Sequence, residues 1–193
     1  MLEHVINSIP IYFRSVSVGV PAWWNVPIIQ ETYGREINFV KVKDTKGPAH
    51  TALQVLEDGI IDHSLILDVD VINFTNDLSR LTLMGRIGVL VSQSANPAFS
   101  YVDSLGFFNQ ILEKQRISEF AVRGAYFIHK YAMPDFMEKL EETISTESEP
   151  YLSQVFNRYQ GQKFSILTAY TPVDWGTPED VKLSGARITS REE

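Results

Sequence analysis

Two aspartates stand one residue apart in Asp68-Val69-Asp70, at the end of an apolar run that begins at Ser64. In an extended chain, side chains alternate between faces, so both carboxylates would point to one side. Hard oxygen ligands at that spacing suit Mg²⁺ or Mn²⁺, which can in turn hold the phosphates of a nucleotide. A strand that turns into solvent with two ordinary surface carboxylates gives the same pattern, and spacing alone leaves both readings open. Thr45-Lys46-Gly47-Pro48-Ala49-His50-Thr51 is a glycine-containing turn that leads into a helix. Backbone N–H groups at a helix start attract anions, and Gly47 would let a ligand approach the main chain. The plainer reading is a strand-to-helix turn with Pro48 in the first helical turn. His50 reads as a hydrogen-bonding turn residue rather than a metal ligand.

Glu113-Lys114 sets an acid able to bind sugar hydroxyls beside an ammonium able to hold a phosphate. An exposed ion pair of little worth to stability is the alternative. Arg123-Gly124-Ala125-Tyr126 follows shortly after. In Val173-Asp174-Trp175-Gly176-Thr177-Pro178-Glu179-Asp180, Asp174 is a second candidate metal ligand and Gly176 supplies a tight turn. Pro178 would start a helix whose dipole suits Glu179 and Asp180. A capped loop without a ligand would look the same.

Alternating helices and strands must hold these runs. Leu2, Val5, Ile6 and Ile9 fall on one helix face, closed by Pro10. Val16 to Val20 reads as a strand ending at Pro21, and Ile37 to Val42 as another. Helical spacing follows from Thr51 to Ile61. Ser64 to Ile72 is a nearly continuous apolar strand broken only by the two aspartates, typical of strands covered on both faces. Further strands are expected at Gly88 to Ser92, Ser100 to Val102, Ala121 to Ile128 and Lys163 to Ala169, with a helix from Phe136 to Ile144. Ser145 to Pro150 reads as a loop, and Leu183 to Glu193 has few apolar anchors. This order argues for an α/β sandwich around a mainly parallel sheet.

The 193 residues suffice for one sizeable domain. A net charge of −7 without a basic run argues against nucleic acid as a partner. With no cysteines, disulfides, Cys-based zinc sites and a thiolate nucleophile are excluded. The first ten residues lack signal-peptide character, and no apolar stretch approaches the ~20 residues of a membrane helix. A cytoplasmic protein with no membrane partner is the expectation.

In order and spacing these runs resemble the sugar-phosphate nucleotidyltransferases, which join a sugar 1-phosphate to a nucleoside triphosphate and release pyrophosphate. The resemblance extends from Met1-Leu2-Glu3-His4-Val5 to Gly176-Thr177-Pro178-Glu179-Asp180, and is best at Thr45 to Thr51, Leu65 to Asp70, Glu113-Lys114, Gly124-Ala125-Tyr126 and Asp174 to Pro178. It implies a three-layer α/β/α, GT-A-like domain over residues 1–182, with a mixed central sheet and a frayed tail at 183–193. By the resemblance, Gly47 and Pro48 would lie by the nucleotide base. Asp70 and Asp174 would share the catalytic Mg²⁺ (or Mn²⁺), with Asp68 a further candidate ligand. Glu113 would hold sugar hydroxyls, Lys114 the sugar phosphate, and Gly124 would line the sugar pocket. Asn96-Pro97 and Tyr151-Leu152-Ser153 fit a subgroup acting on capsule or cell-surface sugars. A nucleoside triphosphate and a sugar 1-phosphate are the implied partners, and a homo-oligomer is compatible with the resemblance.

The family opens with a central strand, a glycine-rich loop containing an Arg, and a Lys-Pro ahead of the helix matching Leu2 to Ile9. This sequence holds none of these. The expectation is therefore a sheet without its first strand, whose neighbours pair differently or stay exposed, and weak or absent transfer. Trp23 and Trp24 are candidates to cover part of that gap. Two other functions stay open: a non-catalytic sugar-nucleotide sensor or scaffold, and a metal-dependent glycosyltransferase, because D-x-D also holds metal in that related fold. The Glu-Lys and Asp-x-Gly-Thr signatures favour the nucleotidyltransferase.

Overall fold

The computed structural model describes residues 2–25, 29–32, 34–57, 63–94, 100–103, 110–115, 117–159, 165–168 and 173–174. Helix α1 (Leu2–Ser8) buries Val5 and Ile6, the face its spacing predicts. Its C-terminal carbonyls are capped from a distance: the buried Arg35 guanidinium donates to the carbonyls of Ile6 and Ile9. That ties α1 to a three-stranded sheet of β1 (Ser15–Pro21), β2 (Ile29–Thr32) and β3 (Arg35–Val42). There β3 is central, parallel to β1 and antiparallel to β2.

Helix α2 (Pro48–Glu57) leads to β4 (Ser64–Leu67), a turn, and the short β5 (Val71–Ile72). Then come α3 (Thr75–Leu81), β6 (Ile87–Gln93), β7 (Tyr101–Asp103), β8 (Gln110–Leu112) and the long β9 (Phe120–Ile128). Helices α4 (Met133–Thr146) and α5 (Leu152–Asn157) precede β10 (Ser165–Thr168) and β11 (Val173–Asp174). The second sheet has the order β10-β6-β9-β7-β8, with β4 also on β9. Here β10 runs parallel to β6, while β9 is antiparallel to β4, β6 and β7. A third, two-stranded ladder joins β5 to β11.

Period-two alternation builds two cores on the two faces of the second sheet. Val89, Val91, Val122, Tyr126 and Ile128 face α2, α4 and α5, whereas Leu90, Ala125 and Phe127 face Leu78 and Leu81 of α3. The architecture is thus of the expected α/β class with a mixed sheet, but not a mainly parallel one: among the described residues only β1–β3 and β10–β6 run parallel, and the other ladders are antiparallel. No helix among the described residues is long and apolar enough to cross a membrane.

The structure departs from the sequence reading at several points. The run from Ser64 to Ile72 is not one strand: it turns at Val69-Asp70, so alternation does not place the two carboxylates. Helix α4 continues to Thr146, beyond the expected Ile144. Trp23 is 82% exposed and Trp24 43%, so neither is buried in the fold. Helices α3 and α5, at six or seven residues each, are too short to announce themselves by periodicity. The expected end of α2 at Ile61, Asn96-Pro97 and the tail 183–193 lie outside the described residues.

Phe136 is fully buried in the larger core, its ring 6.0 Å from that of Phe156. Phe136→Ala should lower unfolding free energy by about 3–5 kcal/mol in a denaturant titration. A loss below about 1 kcal/mol would mean that this helix does not pack as described.

Candidate active site

The site is organised where β9 changes partners. Its one edge pairs with β4 from Ala125 to Ile128 and with β7 at Ala121, so the change falls at Arg123-Gly124. On the other edge the register with β6 shifts between Val89 and Val91, the mark of a β-bulge. Gly124 supplies the left-handed backbone the bulge needs, with φ +53°. Its carbonyl accepts from the Asp68 N–H at 2.8 Å, and the Arg123 carbonyl from Asn73 Nδ2 at 3.1 Å. The bulge is therefore locked to the segment carrying the aspartates.

Asp68 lies directly on Gly124. A Cβ added there would stand 2.7 Å from Asp68 Cβ and 2.8 Å from its Cγ, so only glycine fits. The Asp68 carboxyl is pushed up to about 6, first by burial, then by the charges of Asp70 and Glu113. Tyr126, 6% exposed, has its phenol pushed well above its usual range by burial and then by Asp68 and Glu113. These like charges lie close together near the carboxyl end of β4, where open α/β sheets bind ligands.

Glu113 follows β8 and is held at both oxygens: Ser153 Oγ donates to Oε1 and Ser100 Oγ to Oε2, the latter at 2.5 Å. Lys114 beside it is exposed and has φ +53°, a sparsely populated conformation for a non-glycine residue and one that often marks a functional position. Its ammonium has no ion pair among the described residues. Asp174 pairs with Val71, so its backbone sits beside the residue that follows Asp70. Residues 175–180 lie outside the described residues.

Gly47 and Pro48 start α2, as expected. Gly47 is required here by Pro150: an added Cβ would meet the Pro150 carbonyl oxygen at 2.8 Å, and Ala49 N donates to that oxygen at 2.9 Å. Pro150 leads into Ser153, which holds Glu113. Tyr151 between them is pushed up to about 12 by its hydrogen bond to Glu149, by burial, and by Glu149 and Glu113. His50 Nδ1 accepts from Lys46 N at 3.2 Å, the turn role expected of it.

Asp68, Asp70, Gly124 and Glu113 thus converge, Asp174 joins them through its backbone, and Gly47-Pro48 is linked through Pro150 and Ser153. Sequence reasoning missed Asn73 and Ser100, whose roles depend on backbone groups distant in sequence. Among the described residues no three His, Asp or Glu side chains gather as a metal cage. Mg²⁺ needs none, because it is usually held by one or two carboxylates plus waters and substrate phosphates. The crowding that raises Asp68 is what a cation would relieve, so the donor set fits. A separate open cleft of about 620 Å³, lined by Thr82, Leu83, Gly85, Arg86, His129 and Tyr131, lies toward the opposite end of β6 and β9.

The same arrangement of elements occurs in solved structures. A nucleoside-diphosphate-sugar pyrophosphorylase from Vibrio cholerae RC9 superposes with a TM-score of 0.67 at 16% identity, over 94% of this chain and 85% of that one. The fold is that of the nucleotide-sugar pyrophosphorylases. A UDP-glucose pyrophosphorylase from Acinetobacter baumannii gives a TM-score of 0.65 at 17% identity, over 80% of this chain and 60% of that one. A UDP-glucose pyrophosphorylase complexed with UDP-glucose gives 0.64 at 17%, over 77% and 64%. No family model and no curated protein matches the chain.

Two outcomes follow from the Asp68–Gly124 contact. Gly124→Ala should cost more than about 1 kcal/mol of stability, from its left-handed backbone alone. A neutral substitution in a denaturation series would contradict the contact. The folded state also binds more protons than the unfolded state between pH 3.8, the ordinary value for Asp68, and about 6. Stability should therefore fall as pH rises through that window, and Asp68→Asn should flatten the slope. An unchanged slope in the variant would show that Asp68 titrates normally.

Proposed function

We propose that this chain is a nucleotidyltransferase-like domain that binds a nucleoside-diphosphate sugar, or forms one from a sugar 1-phosphate and a nucleoside triphosphate. The observation that carries the reading is the convergence of Asp70, Gly124 and Glu113 around Asp68 in a pyrophosphorylase fold. The reaction needs no covalent nucleophile from the protein. A phosphate oxygen of the sugar 1-phosphate attacks the α-phosphorus of the triphosphate, a new P–O bond forms, and the bond to pyrophosphate breaks. The barrier comes from aligning two polyanions and neutralising their repulsion.

Each residue has a task in that alignment. Asp70 and Asp174 would hold Mg²⁺ (or Mn²⁺), with Asp68 as a further ligand, and the bound ion would supply charge screening between the phosphates. Glu113, fixed by two serine hydroxyls, would accept hydrogen bonds from sugar hydroxyls with little loss of side-chain freedom. Lys114, which has no ion pair among the described residues, would reach the sugar phosphate as a cation. Gly124 would let the sugar lie against the backbone, and Gly47-Pro48 would offer the start of α2 to the base.

Calorimetric titration with Mg²⁺ and a panel of nucleotide sugars tests this. One or more should bind, Asp70→Ala should abolish binding, and Lys114→Ala should weaken it roughly tenfold to a hundredfold. A folded chain that binds no nucleotide sugar, or an Asp70→Ala variant that binds as well as the parent, would refute the reading.

A further inference from the structure

The open cleft at the far end of β6 and β9 has walls of fixed backbone. On one side the turn after α3 is tied down at both of its ends. Thr82 Oγ1 donates to the Ser79 carbonyl at 2.8 Å, so it accepts from Tyr12 Oη at 2.7 Å, and Ser165 Oγ donates to the Met84 carbonyl. On the other side Arg86 Nη2 donates to the Tyr131 carbonyl at 2.7 Å, and the Tyr131 N–H to His129 Nδ1 at 3.3 Å. Leu83 stands on the first wall 84% exposed and Tyr131 on the second 70% exposed. Met84 is exposed next to Leu83, and the exposed pair Ile11-Tyr12 joins the same turn through Thr82. Large apolar side chains held together in water on a fixed backbone mark an interaction surface.

The charge on this face is opposite to that of the whole chain, which is −7. Arg86 lines the cleft, Lys130 Nζ stands 5.3 Å from the centre of the Tyr131 ring, and the exposed Arg80 precedes Leu83 by one turn. Arg86 and Lys130 have no ion pair among the described residues. The carboxylates closest in sequence to the two walls are already engaged: Asp77 is buried beside Arg80, and Asp135 is paired with Lys139.

We infer that this face docks an acidic segment of another protein, which seats one large apolar side chain between Leu83 and Tyr131 and lays carboxylates on Arg86 and Lys130. A flat lipid surface would not enter the cleft. A second copy of this chain, related by a two-fold axis, would set one basic face against another. An acidic segment with an apolar anchor meets both demands at once. Its charge guides the approach and fixes the partner's sign, and the anchor supplies most of the hold. Because both walls are set before binding, only the incoming segment loses conformational freedom. The inference rests on a face distant from Asp68 and Asp70, and holds whether or not a nucleotide sugar binds there.

The test uses the whole chain and short fluorescent peptides in which one Leu, Phe or Met is flanked on both sides by Asp and Glu, read by fluorescence anisotropy. At least one should bind, and added salt should weaken it. Replacing its apolar residue by Ser, or its acids by Asn and Gln, should weaken binding at least roughly tenfold. Leu83→Ser and Lys130→Glu in the chain should each do the same, while Asp70→Ala should leave peptide binding unchanged. No binding by any of the peptides, equal binding of the neutral versions, binding indifferent to Leu83→Ser, or binding lost in Asp70→Ala would overturn the docking site. So would a dimer in sedimentation that Leu83→Ser abolishes, because a second copy would then cover the face. Capture by phosphatidylserine vesicles without binding of any peptide would overturn it in favour of a lipid surface.

Discussion

The contact between Asp68 and Gly124 is the constraint on which the rest of the site depends. It closes the ladder between β4 and β9 one step beyond Leu67, through the bond from Asp68 N to the Gly124 carbonyl. It needs a left-handed residue without a side chain, and the bulge in β9 gives that residue its place. Once β4 is held there, the chain turns at Val69-Asp70, and β5 is delivered to β11. The backbone of Asp174 is thereby brought beside the residue that follows Asp70, from about half the chain away.

Electrostatics oppose this arrangement while packing imposes it. Asp68, Asp70 and Glu113 carry like charge, and the first is also buried, so the site is less stable with all of them ionised. Glu113 is stabilised in place by Ser100 and Ser153, and those bonds make its position a consequence of α5 and of the segment before β7. A site that holds acids against their own repulsion is prepared for a cation and for ligands that bring one.

Much of this was legible in the sequence, for identifiable reasons. The alternation of Val89, Leu90 and Val91, or of Tyr126, Phe127 and Ile128, states which face each residue occupies, and the two cores follow. The position of Asp68 was not legible by the argument first applied to it. Alternation along a strand fails at the turn, and what keeps the two aspartates in range is Gly124, distant in sequence. At Gly47 the fold adds a constraint that spacing does not reveal: the backbone of Pro150 also demands a glycine there. Asn73 and Ser100 gave no sequence signal because each serves a partner, a carbonyl in one case and a carboxylate in the other, that only the fold brings near.

The central claim is that the acidic site at the end of β4 is where this molecule meets a nucleotide sugar. A crystal structure grown with Mg²⁺ and UDP-glucose tests it most directly. The account predicts the diphosphate and an ion at Asp70 and Asp174, with the sugar between Gly124 and Glu113. A ligand seated instead in the cleft of Arg86, His129 and Tyr131 would contradict it.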